Sequence, residues 1–577
     1  MNKNILLVAI NAKYIHSNLA VYSLSTYARH KDIKVTIAEY TINQQPDSIL
    51  ADIYSQKPDV LCLSCYIWNI RFIRELTTEF HKICPDIPIW LGGPEVSYDT
   101  EQFLTKNAQI TGIIIGEGEE SFYRLCRAYT NCSCTDSDVT KDLTNIDGIA
   151  WRNQDNTIHT NEKNTLLSMD DLPFAYEDLT KFENRIIYYE SSRGCPFSCS
   201  YCLSSVDKCL RLRSLNLVYP ELQFFLDNNV PQVKFVDRTF NCDHNHSLGI
   251  WKYIKEHDNG ITNFHFEISA DLLNDEEIEL LRSMRPGLVQ LEIGVQTTNP
   301  VTLKEIRRYM SLEKITDSFK QIQKMGNIHQ HLDLIAGLPF EDYTSFINSF
   351  DEIYKLKSNQ LQLGFLKVLK GSYMHTMANE YALTYRDTSP YEVLSTKWIS
   401  YEELLKIKSV EEMLEIHYNS GQFLTALNVL ENCFNSPFEM YLKLAEYYNK
   451  KGYTNPSYTR VTRTEIFYDF ALTIDKVHAD IYRDALMHDL YIRERSKKRP
   501  GFAFDYRASQ QEATVLLKEN NYDHRYCHIE PYHYNVWEID YTGYGTNNPS
   551  TGESYIQYLA ETAWMIYDYK EHTTLLI

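Results

Sequence analysis

The chain has 577 residues, 44% hydrophobic and 23% charged, which leaves room for several packed cores and excludes a disordered or fibrous protein. A formal net charge of −20 opposes nonspecific attachment to long nucleic acid, because that binding depends on neutralising phosphates. No apolar run reaches the ~20 residues of a membrane span, so neither nucleic acid nor a bilayer is an expected partner.

The first residues, Met1-Asn2-Lys3-Asn4, lead into an apolar run at 5–10. No small-residue cleavage site follows, which predicts a strand rather than a signal peptide. Apolar runs at 35–39, 60–66, 87–91 and 112–115 read as buried parallel strands. Helical periodicity fills Leu19–Arg29, 71–83 and 119–128 between them. Residues 1–130 are therefore expected to form a Rossmann-like (flavodoxin-like) sheet with its ligand beyond the carboxyl ends of the strands. Those ends carry Tyr14, His16, Ser17 and Asn18, then Tyr66 and Trp68, then Gly92-Gly93-Pro94-Glu95, then Gly116-Glu117-Gly118-Glu119. Glycines at two of them let backbone approach a large flat ligand. Glu119 and Glu120 equally suit the first turn of a helix, where carboxylates favour the dipole. No G-x-G-x-x-G follows the first strand, which argues against a dinucleotide.

Residues 131–184 read as a linker. Cys132 and Cys134 sit among Thr, Ser and Asp with no second pair nearby, so they are expected to be ordinary loop cysteines. Asp147-Gly148-Ile149-Ala150-Trp151-Arg152 suggests a hairpin strand.

From 185 to 375 strands and helices alternate again, with strand candidates at 233–236, 265–269, 288–293, 331–335 and 362–368. This order predicts a parallel, partly closed barrel with its site at the carboxyl ends of the strands. The first loop, residues 191–205, reads S-S-R-G-C-P-F-S-C-S-Y-C-L-S-S and places Cys195, Cys199 and Cys202 at C-x3-C-x2-C spacing. A cubane iron–sulfur cluster is usually held by four thiolates. Three on one short loop would leave one iron open to another ligand. Three buried core cysteines are the plain alternative. Thirteen cysteines, odd in number and scattered, fit reduced thiols plus a metal site in a cytoplasmic protein.

With Arg193-Gly194 before it, Pro196 within it and Tyr201 ahead of the third cysteine, this loop resembles the signature of the radical S-adenosylmethionine (SAM) family. The resemblance implies a partial (β/α)6 barrel with a [4Fe-4S] cluster on Cys195, Cys199 and Cys202 and SAM on the open iron. It also implies SAM contacts from Tyr201, Asp237, Glu267, Glu292 and Gly337, with Glu292 and Glu341 alternatively structural carboxylates of the barrel rim. The family's Gly-Gly-Glu after the second strand is replaced here by Phe235-Val236-Asp237. The first domain resembles the cobalamin-binding domain of one large subfamily. That implies cobalamin contacts from Tyr14, His16, Ser17, Asn18, Tyr66, Trp68, Gly92, Gly93, Pro94, Glu95, Gly116, Glu117, Gly118 and Glu119. Cobalamin proteins with an axial histidine carry D-x-H-x-x-G in the first loop. Here Tyr14 replaces the Asp and Leu19 the Gly, so His16 is expected to be a loop contact rather than a cobalt ligand.

The implied chemistry is reductive cleavage of SAM to methionine and a 5′-deoxyadenosyl radical, with electrons from an external donor such as flavodoxin or ferredoxin. Its expected use is methylation of an unactivated centre in an unknown small-molecule or peptide substrate. Alternatives are a cobalamin-assisted rearrangement or cyclisation, a tRNA methylthiotransferase, and a non-catalytic cobalamin or redox sensor. Cys62, Cys65 and Cys84 do not match the extra cysteines of the methylthiotransferases.

Residues 376–577 are expected to be mostly helical, with patterned stretches at 399–407, 410–418, 423–432 and 438–449 and a mixed segment at 525–544. They resemble an uncharacterised region that follows the barrel in one cobalamin-type subgroup, which implies a cover over the barrel mouth. His524, Cys527, His528 and His533 fit no common metal spacing and are expected to pack structurally. The basic run 492–500 is expected to be a solvated helix end.

Overall fold

The structure, a computed structural model, describes residues 3–131, 142–161, 166–454, 457–505, 509–538 and 558–577. Cys132 and Cys134 lie outside them. Strands β1 (Ile5–Asn11), β2 (Thr36–Thr41), β3 (Val60–Ser64), β4 (Ile89–Gly92) and β5 (Gly112–Ile114) form a parallel sheet in the order β2-β1-β3-β4-β5. Every residue of β1 is buried, which is why its sequence is a continuous apolar run rather than an alternation. Helices α1 (Leu19–Arg29) and α5 (Glu119–Asn131) cover one face; α2 (Pro46–Ser55), α3 (Ile70–Ile83) and α4 (Thr100–Lys106) cover the other. Strand β6 (Ile149–Arg152) adds antiparallel to β5, and β7 (Ile158–Thr160) to β6. Part of the expected linker thus completes this sheet.

The barrel begins with β8 (Ile187–Tyr189), and a short antiparallel pair, β9 (Ser192–Arg193) and β10 (Arg211–Leu212), closes the cysteine loop. Strands β11 (Gln232–Phe235), β12 (Asn263–Ile268), β13 (Val289–Gln296), β14 (His329–Ala336) and β15 (Gln360–Phe365) follow β8 in order across one parallel sheet. Outward side chains such as Phe264, Phe266, Leu291 and Ile293 are buried under the flanking helices. Inward positions are polar. Because paired strands set same-face residues side by side, these positions stack in tiers. Lys234, His265, Gln290 and His329 form one tier, and Glu267, Glu292 and His331 the next.

Helix Tyr401–Leu414 runs directly into a π turn, Glu415–Asn419, joining two stretches expected as separate helices. Asn419 Nδ2 donates to the Leu361 carbonyl at 2.8 Å and its Oδ1 accepts from the Leu361 N–H at 2.9 Å. The Tyr354 and Tyr441 hydroxyls meet at 3.1 Å, within one core shared by barrel and helices. The helices therefore cover the open edge of β15, which an edge strand requires. The mouth is reached by residues 366–399, of which those from 376 onward belong to the region expected to cover it. There the Met374 N–H donates to the Ser200 carbonyl at 2.8 Å.

Strands Cys527–Tyr534, Tyr558–Asp568 and Thr573–Leu576 form a separate antiparallel sheet. Its histidines are used structurally: His528 Nε2 lies 2.8 Å from Glu530, and its ring stacks on Tyr491. In the basic run, Arg499 pairs with Glu530 and Arg495 donates to the His524 carbonyl. No helix of the described residues is long and apolar enough to cross a membrane.

Candidate active site

The cysteine loop is rooted on one buried carboxylate. The Ser191 N–H and hydroxyl donate to Asp237 at 3.0 and 2.6 Å, and the Ser192 hydroxyl adds a third bond at 2.6 Å. Asp237 is 1% exposed, so it holds the base of the loop. Gly194 follows at φ +87°, where a Cβ would collide with the Cys209 carbonyl; only glycine fits there. Cys195, Cys199 and Cys202 are free thiols, the first two buried. Burial pushes the Cys195 thiol up, and the nearby Cys202 and Cys199 sulfurs add to the effect.

Three neighbours of these thiols carry no motif. Thr239 Oγ1 lies 3.8 Å from Cys195 Sγ, and Arg308 Nη1 lies 3.6 Å from Cys199 Sγ. Arg308 also donates to the Gly294 carbonyl. The Cys242 thiol, pushed up to about 11 by burial and then by Cys195, is the third. Tyr201 is half-buried beside Arg308 and Cys199.

Between the carboxyl ends of the two sheets lies a cavity of about 840 Å³. On one side it is lined by His16, Ser17, Asn18, Tyr66, Trp68, Gly92, Gly93, Pro94, Gly116, Glu117, Gly118 and Glu119. On the other stand Tyr188, Glu190, Arg193, Gly194, Ser204 and Arg238. The Tyr66 and Trp68 rings stack 4.4 Å apart at 5° and make a flat aromatic shelf. Gly93, at φ +108°, passes so close to the Cys65 carbonyl that a Cβ would sit 2.5 Å from it.

Two residues expected at this ligand site do not line the cavity. Tyr14 is 63% exposed beneath the Arg185 guanidinium, and Glu95 accepts from the Tyr391 hydroxyl at 2.7 Å. His16 Nδ1 lies 2.7 Å from the Tyr188 hydroxyl. Burial, helped by Lys13 and Lys234, lowers the His16 pKa. The Ser17 hydroxyl donates to the Ile186 carbonyl at 2.9 Å, and the Ile186 N–H to the Ile15 carbonyl at 2.8 Å. The loop after β1 therefore docks one sheet on the other as well as lining the cavity. Glu117 pairs with Arg211 and Arg193, and Glu119 with Arg193 and Ser23.

Glu267, Glu292 and Gly337 do not line this cavity either. Gly337 packs against Val393. Burial works to raise the Glu292 pKa, but His265 at 3.0 Å and Lys234 at 3.1 Å hold it down to about 2. Burial and then Glu292 push Glu267 up to about 7. Glu341 accepts from the Thr297 and Ser349 hydroxyls at 2.5 and 3.2 Å and is pushed by burial to about 7.

Family models match all three parts of the chain. A B12 binding domain covers residues 5–125, the radical SAM superfamily covers 189–353, and a protein of unknown function, DUF4080, covers 379–538. The chain joins a B12-binding domain to a radical SAM domain. The cobalamin-dependent radical SAM methyltransferase TokK of Streptomyces tokunonensis is 24% identical over 386 residues, 61% of this chain and 54% of TokK. The 2-(S-pantetheinyl)-carbapenam-3-carboxylate methyltransferase of Streptantibioticus cattleyicolor is 26% identical over 316 residues, 50% of this chain and 44% of that protein. The chain spans about half the length of these curated relatives. The solved structure of the cobalamin-dependent S-adenosylmethionine radical enzyme OxsB with aqua-cobalamin bound is 14% identical and has a TM-score of 0.57. That likeness of fold covers 90% of this chain and 84% of OxsB.

The B12-binding domain supplies one wall of the cavity and the radical SAM domain the other. In the B12-binding domain, Cys62 and Cys65 belong to cores on opposite faces of the sheet. They cannot gather with Cys84 around a second cluster.

Proposed function

We propose that this chain is a cobalamin-dependent radical SAM enzyme that reductively cleaves SAM and methylates an unactivated centre of a small-molecule or peptide substrate. The observation that carries this reading is the cavity bounded by the strand ends of the B12-binding domain and by the cysteine loop. Cys195, Cys199 and Cys202 would hold a [4Fe-4S] cluster, with the buried Arg308 guanidinium offsetting negative charge beside Cys199. The Tyr66–Trp68 shelf and the backbone of Gly92, Gly93, Gly116 and Gly118 would hold the corrin. When bound, these groups supply one-electron cleavage of SAM and a transferable methyl.

The side chains then have the tasks of binding, orienting and excluding water. Asp237 fixes the root of the cysteine loop, and Arg193 locks that loop onto Glu117 and Glu119. The His16 imidazole and the Tyr188 hydroxyl present a hydrogen-bonded pair at the seam. An external electron donor and a cytoplasmic setting belong to the same reading.

The test uses full-length protein reconstituted anaerobically with iron, sulfide and hydroxocobalamin, then given SAM and a strong reductant. Methionine and 5′-deoxyadenosine are expected, and label from methyl-labelled SAM should reach cobalamin. Protein with full cluster absorbance that forms neither product would overturn the proposal.

A further inference from the structure

The inner face of the barrel presents a group of ligating side chains apart from the cysteine loop. Glu292 on β13 and His331 on β14 are register partners, and Asp333 lies two residues beyond His331, so all three project from the same face. One donor atom from each falls within 4.8 Å of the others. His331 is only 6% exposed. Its Nε2 lies 3.0 Å from Asp333 Oδ1, yet the geometry leaves both atoms buried without a hydrogen bond. Buried polar atoms are rarely left so, and each such atom calls for an explanation.

The surrounding charge points the same way. Glu267, Glu292 and Asp333 bring three carboxylates to neighbouring inward positions, against the Lys234 ammonium 3.1 Å from Glu292 and the Arg238 guanidinium near Glu267. His265 Nε2 lies 3.0 Å from the same Glu292 oxygen, which sets a further imidazole beside that carboxylate. Donors sharing one transition-metal ion at ~2.1 Å lie about 3–3.5 Å apart, so a small closure of the three side chains would suffice. Glu292 and Asp333 keep about a fifth of their side-chain surface exposed (21% and 20%), which leaves an entry path.

We propose that Glu292, His331 and Asp333 bind one divalent transition-metal ion inside the barrel, separate from the cysteine loop. One imidazole and two carboxylates suit zinc, manganese or ferrous iron, and three protein ligands leave positions for water or a substrate oxygen. The assignment takes Glu292 out of the SAM contacts and is independent of the proposed reaction.

The probe is zinc alone. Full-length protein carrying its reconstituted cluster is stripped with a weak chelator, equilibrated with micromolar zinc, separated and analysed for zinc. One equivalent is expected, and it should persist in the Cys195→Ala/Cys199→Ala/Cys202→Ala variant. Affinity should fall at least about tenfold in Glu292→Gln, His331→Gln and Asp333→Asn, each tested separately. These changes nearly conserve shape, and any one that keeps the wild-type circular dichroism is enough for a reading. Wild-type protein that binds no zinc overturns the proposal. So does zinc that follows the three cysteines and is indifferent to all three barrel substitutions.

Discussion

Arg193 Nη2 donates to Glu119 Oε1 at 2.7 Å across the seam between the B12-binding and radical SAM domains. The same guanidinium reaches Glu117 at 3.1 Å and Glu190 at 2.9 Å. Glu119 is 5% exposed and Arg193 14%, so neither charge is well hydrated on its own. Removing one partner of such a pair costs about 3–5 kcal/mol, much of it from the stranded charge. Arg193→Ala is therefore expected to lower the first thermal unfolding transition of the full chain clearly, and Arg193→Lys by less. A transition unchanged by Arg193→Ala would show that the network does not join the domains.

Gly194 tests the fold of the cysteine loop separately from its chemistry. At φ +87° a side chain brings about 1–3 kcal/mol of backbone strain, and here it also meets the Cys209 carbonyl. Gly194→Ala should leave the three thiols in place but cut the iron taken up on reconstitution to well under half of the wild-type amount. Iron and sulfide analysis with visible absorbance gives the answer.

Cys242 and Cys199 should behave differently, although both thiols are near Cys195. A three-thiolate cluster with one open iron predicts that Cys199→Ala loses the cluster. Cys242→Ala should keep it and still cleave SAM. Cluster loss in Cys242→Ala would make Cys242 a fourth ligand.

Glu341 gives a pH signature. Its carboxyl is held near 7 in the folded chain by burial, against an ordinary value of 4.5. The native state thus keeps a proton that the unfolded chain releases first. Stability from this group is fully present below pH 4.5 and is lost as pH rises toward 7. Glu341→Gln removes the titration, so its midpoint in denaturant should change less between those pH values than that of the wild type.

The strand ends and the cysteine loop were legible because each is a local pattern: an apolar run, a glycine, a fixed cysteine spacing. The partners of those residues were not. Arg308 lies 109 residues from Cys199, and Tyr188 lies 172 from His16; only the fold brings them together. Asp237 was found as a strand-end carboxylate, but its bonds to Ser191 and Ser192 depend on how β8 and β11 pair. Helices α2 and α4 were missed because they are short; α2 buries only Ile49 and Ile53. The polar tiers of the barrel were in the sequence as alternation on β12 to β14. Their inward direction became readable only once the outward residues were seen packed under helices.

Domains within one chain commonly move against each other unless their interface is extensive. Here His16 and Ile186 form a parallel backbone bridge, so the sheets are joined by main-chain bonds as well as by side-chain charge. Parting the two walls of the cavity would therefore break backbone pairing as well as ion pairs.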